Sequence, residues 1–351
     1  MWSNWAHDCV GATGVLSVAA ITGGLDVPSA RFRVRQYSCA LLSHGVRVTE
    51  LLSRTKQYPP EQRWKRLPWG ALRIVEMVGV AIRSHRYDVT LLQREMVSTL
   101  TTLERCTGRP RVLDVDDAIH LYRNGVTAKA LAQHCDRIIC GNNYLAEIYR
   151  QWNSDVIVLP TGIDTQRYCP TAIMANHNDV VLGWIGTSSN LRYLQQIAPA
   201  LAAVLKKHSN AILRVVCDKA PNLPAIELSR VHYVPWSAEA EVAAIQSFSI
   251  GLMPLEDSPW ARGKCSFKML QYMACGLPVV VSPVGMNSDV LKLGEIGYGA
   301  TTLNDWVESL LHLIECDASR RRMGGNGRKI VESEFSVVSL APLFAGYLRG
   351  M

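Results

Sequence analysis

The chain has 351 residues, 48% of them apolar and 19% charged, with a formal net charge of +7. That balance suits a globular protein with substantial cores and length for two domains, and the lack of any run of about 18 apolar residues argues against a membrane-spanning helix. Ten cysteines are scattered without a C-x-x-C pair or a Cys/His spacing suited to zinc, so reduced, mostly buried thiols in a cytosolic protein are expected, and no metal site.

Residues 1–9 are polar with two tryptophans and read as a loose end, without the basic region and cleavage site of a secretory leader. Residues 15–21 (VLSVAAI) are the first predicted strand, ending in Thr22-Gly23-Gly24. Glycines there let the backbone approach a ligand, and the next helix start can hold phosphate. The spacing is not G-x-G-x-x-G, so the standard dinucleotide fingerprint is missing; a plain strand–helix turn fits equally. Residues 31–42 are predicted helical, with Arg31 and Arg33 in the first turn. Arginine there opposes the helix dipole, which hints that these arginines serve a ligand; the alternative is a solvent-facing role.

Residues 46–52 form the second predicted strand. The basic stretch after it carries Tyr58, Trp64 and Trp69, then apolar residues at helical spacing interspersed with Arg73, Arg83 and Arg86. Between Arg31 and Arg86 twelve Lys/Arg face only Glu50, Glu61 and Glu76, which reads as a solvated basic face or as a surface for an anionic partner. Aromatics mixed with cations suit a membrane interface, single-stranded nucleic acid, or a tryptophan-anchored loop. No nucleic-acid fold signature accompanies them, so no nucleic-acid partner is expected. Residues 88–93 and 112–115 are further strands, the second running into Asp114, Asp116, Asp117 and His120. Carboxylates at a strand's C-terminal end sit where open α/β sheets bind ligands. The same run could hold a divalent metal or cap the next helix. Residues 135–140 and 155–159 complete the first half, and the polar segment 168–179 reads as a linker with a domain boundary near residue 170.

The second half restarts the pattern. Residues 180–185 are a buried strand, followed by the polar turn Gly186-Thr187-Ser188-Ser189-Asn190, in which Ser189 and Asn190 are candidate caps. Strands follow at 212–216, 231–234 and 250–253, and helices at 238–248, 289–293, 305–315, 319–334 and 338–347. The informative stretch is LEDSPWARGKCSFKMLQYMACGLPVVVSPVGMN, residues 255–287. Its first part reads as loop. Gly263 and Lys264 then lead into a short helix, Gly276 stops it in the position a left-handed cap favours, and Val279-Val280-Val281 suits a strand covered on both faces. A loop opening onto a helix presents N–H groups and the positive end of the dipole, where anions bind. Lys264 and Lys268, one turn apart, can join the same anion. Strands alternating with helices in both halves predict two parallel sheets with right-handed crossovers, and a ligand crevice at their C-terminal strand edges.

GKCSFKMLQYMACGLPVVVSPVG resembles the donor-site segment of family 4 glycosyltransferases. SARFRVRQY (29–37), DVDDAIH (114–120) and Pro160-Thr161-Gly162-Ile163-Asp164 resemble other parts of the family, in the same order. The resemblance implies an α/β protein of GT-B architecture, two Rossmann-like parallel-sheet domains facing across a cleft. Residues 1–170 would be the acceptor side, 171–335 the donor side, and 336–351 a helix crossing back. It implies a retaining transferase that moves a sugar from a UDP-, GDP- or dTDP-sugar to a glycan or lipid-linked acceptor in polysaccharide or glycolipid synthesis. No cofactor and no metal would be required.

Lys264, Lys268, Gly186, Thr187 and Ser188 would then hold the diphosphate, with Gly23, Gly24 and Arg31 closing over it. Backbone at Cys265, Ser266 and Phe267 would meet the sugar, Gln271 the ribose, and Asp117 and His120 the acceptor. The departing phosphate would help deprotonate the acceptor, so no protein nucleophile is needed, and no G-x-S-x-G or Cys/His dyad is evident. The sequence departs from the family where two glutamates stand eight positions apart: Gly263 and Gln271 occupy them here. Glu256 or Asp257 could stand in for the first. The basic first half would serve peripheral contact with an inner membrane surface. Two other readings stay open, a sugar-nucleotide epimerase on the same architecture and a non-catalytic basic protein for anionic glycan or nucleic acid.

Overall fold

Runs of Val, Ile and Leu set the strands, and the helical segments between them return the chain so that consecutive strands lie parallel. The computed structural model describes residues 14–25, 27–55, 57, 59–97, 100, 102–171 and 179–351. The predicted loose end at 1–9, Tyr58, and most of the predicted linker (172–178) lie outside the described residues. Two compact units are formed. One takes the chain up to residue 114 with Thr127–Ile138 and Ala341–Met351, and the other takes Val115–Val126 and Ile139–Leu340.

Among the described residues there are two six-stranded sheets. The first contains β1 (Leu16–Ile21), β2 (Val46–Glu50), β3 (Val89–Gln93), β4 (Arg111–Val115), β5 (Arg137–Cys140) and β6 (Val156–Val158), in the order β2-β1-β3-β4-β5-β6. The second contains β7 (Val180–Ile185), β8 (Ala211–Cys217), β9 (Val231–Pro235), β10 (Ile250–Met253), β11 (Val279–Val281) and β12 (Gly297–Gly299), in the order β12-β11-β10-β7-β8-β9. β1 pairs in parallel with both β2 and β3, and β7 with both β10 and β8. Each sheet therefore reverses its winding once, between β1 and β3 and between β7 and β10. At such switch points the strand ends leave a crevice for ligands. The Thr22-Gly23-Gly24 turn follows β1, and the Gly186 turn follows β7.

The central strands of the second sheet are buried on both faces, as parallel strands between helical layers are, while the edge strands β9 and β12 are partly exposed. Leu182, Trp184, Leu213 and Val280 pack on one side with Leu201 and Leu310. Val181, Ile185, Val279 and Val281 pack on the other with Met269 and Met273. In the first unit, Phe344 of the Val337–Arg349 helix meets Tyr37 edge-on at 5.4 Å, and Arg137 donates to the Tyr347 carbonyl at 2.6 Å.

Several expectations are corrected. The single helix expected over 31–42 is broken into a π-helical turn (Ala30–Val34), a 3-10 turn (Arg35–Tyr37) and a short α-helix (Ser38–Ser43); the break accompanies Arg33, which turns inward. The loop before Gly263 contains a one-turn helix, Pro259–Arg262. Ser258 caps it by accepting from the Ala261 N–H at 3.2 Å, with proline at the first position. Strand β12 was not expected, because its two glycines carry no strand preference. The basic, tryptophan-bearing stretch is not an anchored loop. It runs into the Arg66–Ser84 helix, and Trp64 is 74% exposed.

Candidate functional site

The loop after β10 ends at Gly263-Lys264-Cys265-Ser266 and opens onto the Phe267–Ala274 helix. Ser266 takes left-handed φ/ψ (51°, 22°), a conformation costly for a non-glycine residue and common at ligand clamps. Its side chain does not cap the helix; its hydroxyl instead donates to Asn287 Oδ1 at 2.7 Å, while Asn287 donates to the Ser282 carbonyl at 3.0 Å. First-turn N–H groups have no acceptor within any α-helix, and here the nearest hydroxyl is turned to other work. Gly276 ends the helix at φ +74°, as the cap reading expects.

Neighbouring backbone presses on this loop. Asn142 caps the Asn143–Tyr149 helix through Oδ1, while its Nδ2 donates to the Lys264 carbonyl at 3.0 Å and the Arg262 carbonyl at 3.3 Å. Cys265 Sγ donates to the Asp116 carbonyl at 3.1 Å. A Cβ on Gly263 would stand 2.7 Å from Ala118 Cβ and 3.1 Å from its nitrogen. The position that carries the family's first glutamate therefore has no room for a side chain. A Cβ on Gly285 would come within 2.7 Å of the Arg262 carbonyl.

Lys264 and Lys268 flank this helix start in the sequence, and each ammonium group lies over an indole ring. Lys268 Nζ lies 4.8 Å from the Trp184 ring centroid, and a Cβ on Gly186 would come within 2.6 Å of it; the structure thus brings Lys268 and the Gly186 turn together. Lys264 Nζ lies 5.5 Å from the Trp260 ring, which itself meets Tyr122 at 5.6 Å. Neither lysine has a carboxylate partner among the described residues. Burial, and then the Lys264 charge, bring the Lys268 ammonium down to about 7. A cation held this way gains most when an anion arrives.

The other predicted residues are placed as follows. The N–H groups of Gly186 and Ser188, expected to face a ligand, are engaged within the fold. Gly186 N–H donates to the Val216 carbonyl at 3.0 Å, and Ser188 donates to Asp218 through N–H (2.6 Å) and hydroxyl (2.8 Å). Burial works against the Asp218 charge, but the Ser188 hydroxyl and N–H outweigh it and hold the carboxyl below its ordinary value. Thr187 pairs with the Ser189 hydroxyl and accepts from the Asn190 amide at 2.8 Å; Asn190 stands at the cap position of the Leu191–Gln196 helix, but its side chain makes no capping bond there. Gln271 is 3% exposed. Its amide donates to Tyr168 Oη (3.2 Å) and Glu241 Oε1 (3.3 Å), while Tyr168 and the Trp236 indole (2.9 Å) also donate to Glu241. Asp257 is held by two bonds from Arg262, at 2.7 and 2.9 Å, which leaves exposed Glu256 as the alternative carboxylate of that loop.

In the Asp116–His120 loop, the residue at the cap position of the next turn is Ala118, which carries no capping side chain. Asp117 accepts from the Ile119 N–H through its carbonyl at 2.7 Å. His120 is half-buried with its ring 6.2 Å from Tyr144, and burial lowers its pKa, so it is neutral at neutral pH. In the first unit, Asp114 accepts from Arg33 at 2.5 and 3.1 Å in a fully buried pair. That pairing corrects two readings: Arg33 does not serve a ligand, and Asp114 is not part of a metal cluster. No group of three His, Cys, Asp or Glu suited to a metal ion occurs among the described residues. Gly24 takes φ +114°, and a Cβ on Gly23 would meet Val27 Cγ2 at 2.9 Å. The Arg31 guanidinium lies over the Phe32 ring at 4.6 Å. The sequence did not reveal Glu241, Tyr168 or Asn287. Nor did it reveal Asn142, which caps its own helix and clamps the Arg262–Lys264 backbone.

Residues 179–316 match the family described as glycosyl transferases group 1. The fold is that of GT-B proteins. It is similar to sucrose-phosphate synthase from Thermosynechococcus elongatus at 15% identity, with a TM-score of 0.72 over 95% of this chain and 98% of that one. It is similar to Anabaena HepE, solved with UDP and glucose, at 15% identity and a TM-score of 0.69 over 96% and 100%. It is also similar to WaaG, a glycosyltransferase involved in lipopolysaccharide biosynthesis, at 14% identity and a TM-score of 0.66 over 95% and 100%. No curated protein matches the sequence. At such identities the likeness speaks for the fold, and function must be argued from the site.

Proposed function

From the premise that residues 179–316 carry a group 1 glycosyltransferase segment, we propose that the chain is a retaining transferase that moves a sugar from a nucleotide sugar to a glycan or lipid-linked acceptor. The observation that carries this reading is the pair Lys264 and Lys268, without carboxylate partners, at the start of the Phe267–Ala274 helix. Breaking the bond between the sugar and the diphosphate builds charge on the leaving oxygen. Fixed cations and N–H dipoles aimed there lower the barrier. Backbone at Cys265–Phe267 meets the sugar, and the Gly186–Ser188 turn borders the phosphates by Lys268 rather than by the engaged N–H groups.

As the sugar carbon leaves the phosphate oxygen, the acceptor oxygen bonds to it on the same face. The acceptor proton passes to the departing phosphate, and no protein nucleophile is required. Asp117 and neutral His120 serve the acceptor. Gly23, Gly24 and Arg31 form a second phosphate-facing turn at the β1 switch point. The ribose role of Gln271 asks its amide to exchange the Tyr168 or Glu241 contact for a ribose hydroxyl. We assign residues 1–170 to the acceptor side, 171–335 to the donor side and 336–351 to the closing helix. HepE was solved with UDP, which supports a UDP-sugar as the first donor to try, with GDP- and dTDP-sugars beside it. A cytoplasmic protein at an inner membrane surface, working in polysaccharide or glycolipid synthesis, completes the reading.

The test is incubation with a panel of UDP-, GDP- and dTDP-sugars, with and without glycan and lipid-linked acceptors, and nuclear magnetic resonance of the products. Transfer with the anomeric configuration kept supports the proposal. Conversion of the sugar nucleotide to its epimer without acceptor would replace it with the epimerase reading. Binding without turnover of any donor would replace it with the non-catalytic one.

A further inference from the structure

The Arg66–Ser84 helix is inverted relative to an ordinary surface helix. Its two charged residues between Leu67 and Ile82 both turn inward. Arg73 is buried and donates to the Thr55 carbonyl (2.8 Å), Gln57 Oε1 (2.6 Å) and the Met96 carbonyl (3.0 Å). Glu76 accepts from the Thr55 N–H (3.0 Å), the Thr55 hydroxyl (2.8 Å) and Ser53. Met77, Val80 and Ala81 fill the rest of the inner face.

The outer face is apolar throughout. Leu67, Ala71, Val75, Val78 and Ile82 step along it at helical spacing; Leu67 is 85% exposed, Val75 70% and Ile82 64%. The stripe runs about 23 Å along the axis. An apolar stripe of that length calls for an apolar partner.

Charge selects the partner. Exposed Arg63, Lys65 and Arg66 stand at one end of the stripe, and exposed Arg83 and Arg86 at the other, with exposed Trp64 beside the first group. Two copies of this helix laid together, parallel or antiparallel, would bring cationic end against cationic end. An anionic lipid surface meets both ends favourably, and an indole beside the cations suits the headgroup level. No helix among the described residues is long and apolar enough to cross a membrane, so such a helix would lie in the plane of the surface.

We infer that the Arg66–Ser84 helix is a membrane-docking element. Its Leu67–Ile82 stripe enters the acyl boundary of an anionic bilayer, and the cations at its two ends pair with lipid headgroups. The inference rests on the proposed membrane contact, which it narrows to one helix face, and not on sugar transfer.

The test is co-sedimentation of the full chain with phosphatidylcholine vesicles, with and without about one third phosphatidylglycerol. Wild type is compared with Val75→Glu/Ile82→Glu and with Arg83→Ser/Arg86→Ser, and melting temperature and sedimentation velocity are recorded for each. The expected result is binding to the anionic vesicles that falls more than about tenfold in the glutamate variant. Binding should fall less and lose part of its salt dependence in the serine variant, with melting temperature unchanged in both. Anionic-vesicle binding that the glutamate variant retains would overturn the docking helix and leave a membrane contact elsewhere. No binding by wild type would overturn both. A wild-type dimer that the glutamate variant dissociates would assign the face to a second copy instead.

Discussion

The most exacting prediction concerns the Lys268 ammonium. Burial and the nearby Lys264 charge bring it down to about 7, so near neutrality only about half the unligated molecules carry its charge. A diphosphate settling against it reverses both causes, because it supplies a counter-ion and neutralises Lys264. Binding then takes up a proton. If the bound ammonium returns to its ordinary range, affinity falls tenfold per pH unit above 7, about fifty-fold between pH 7 and pH 9. The sign for stability is opposite. The folded value lies below the unfolded one, so between pH 7 and about 10 the unfolded chain binds more protons and the unligated protein becomes more stable as pH rises. Isothermal titration of UDP, GDP and dTDP in buffers of different ionisation enthalpy reads the proton uptake directly. Uptake should approach one proton at pH 8, and Lys268→Arg, which stays charged, should remove both the uptake and the pH dependence. A wild-type affinity flat from pH 7 to 9, or a slope that survives in Lys268→Arg, would refute the reasoning.

Three further outcomes follow from the same geometry. Lys264→Ala should cut turnover about 10²-fold or more, as loss of one oxyanion-stabilising group does in other enzymes, with the melting temperature kept; steady-state kinetics checks it, and near-normal transfer would remove Lys264 from the mechanism. Gly263→Glu restores the family's residue type but drives a side chain into Ala118. It should cost about 1–3 kcal/mol by urea unfolding and raise no activity, and a gain in turnover at unchanged stability would contradict the packing account. Arg33→Met strands the buried Asp114 carboxylate and should cost about 3–5 kcal/mol. Arg33→Met with Asp114→Leu should recover much of that loss in the same unfolding assay, and a single variant as stable as wild type would show the pair to be dispensable.

The elements legible in the sequence were those whose signal is local. β7, β10 and β11 fall where their short apolar runs put them, because strands covered on both faces need apolar residues at every position. Gly276 stops its helix as a left-handed cap. What escaped depends on partners far along the chain. Nothing in SARFRVRQY announces that Arg33 will bury itself against Asp114, and the helix there breaks where that side chain turns inward. The small residues Gly186 and Ser188 looked like open donors, but β8 supplies Val216 and Asp218 to take their hydrogens. Gln271 looked like a ligand contact, and its partners Tyr168 and Glu241 lie 103 and 30 residues away. The apolar residues of the Arg66–Ser84 helix were visible as helical spacing, but spacing alone does not say which face turns to solvent. That was fixed by Arg73 and Glu76, whose long-range bonds pull the charged side inward.

The central claim is that Lys264, Lys268 and the helix start between them grip a diphosphate. Its most direct measurement compares UDP with uridine, binding both to wild type and to Lys264→Met/Lys268→Met at pH 7. The account predicts that wild type prefers UDP by at least about 10²-fold, and that the double variant loses most of that preference while its melting temperature holds. An equal preference for UDP in both proteins would contradict it.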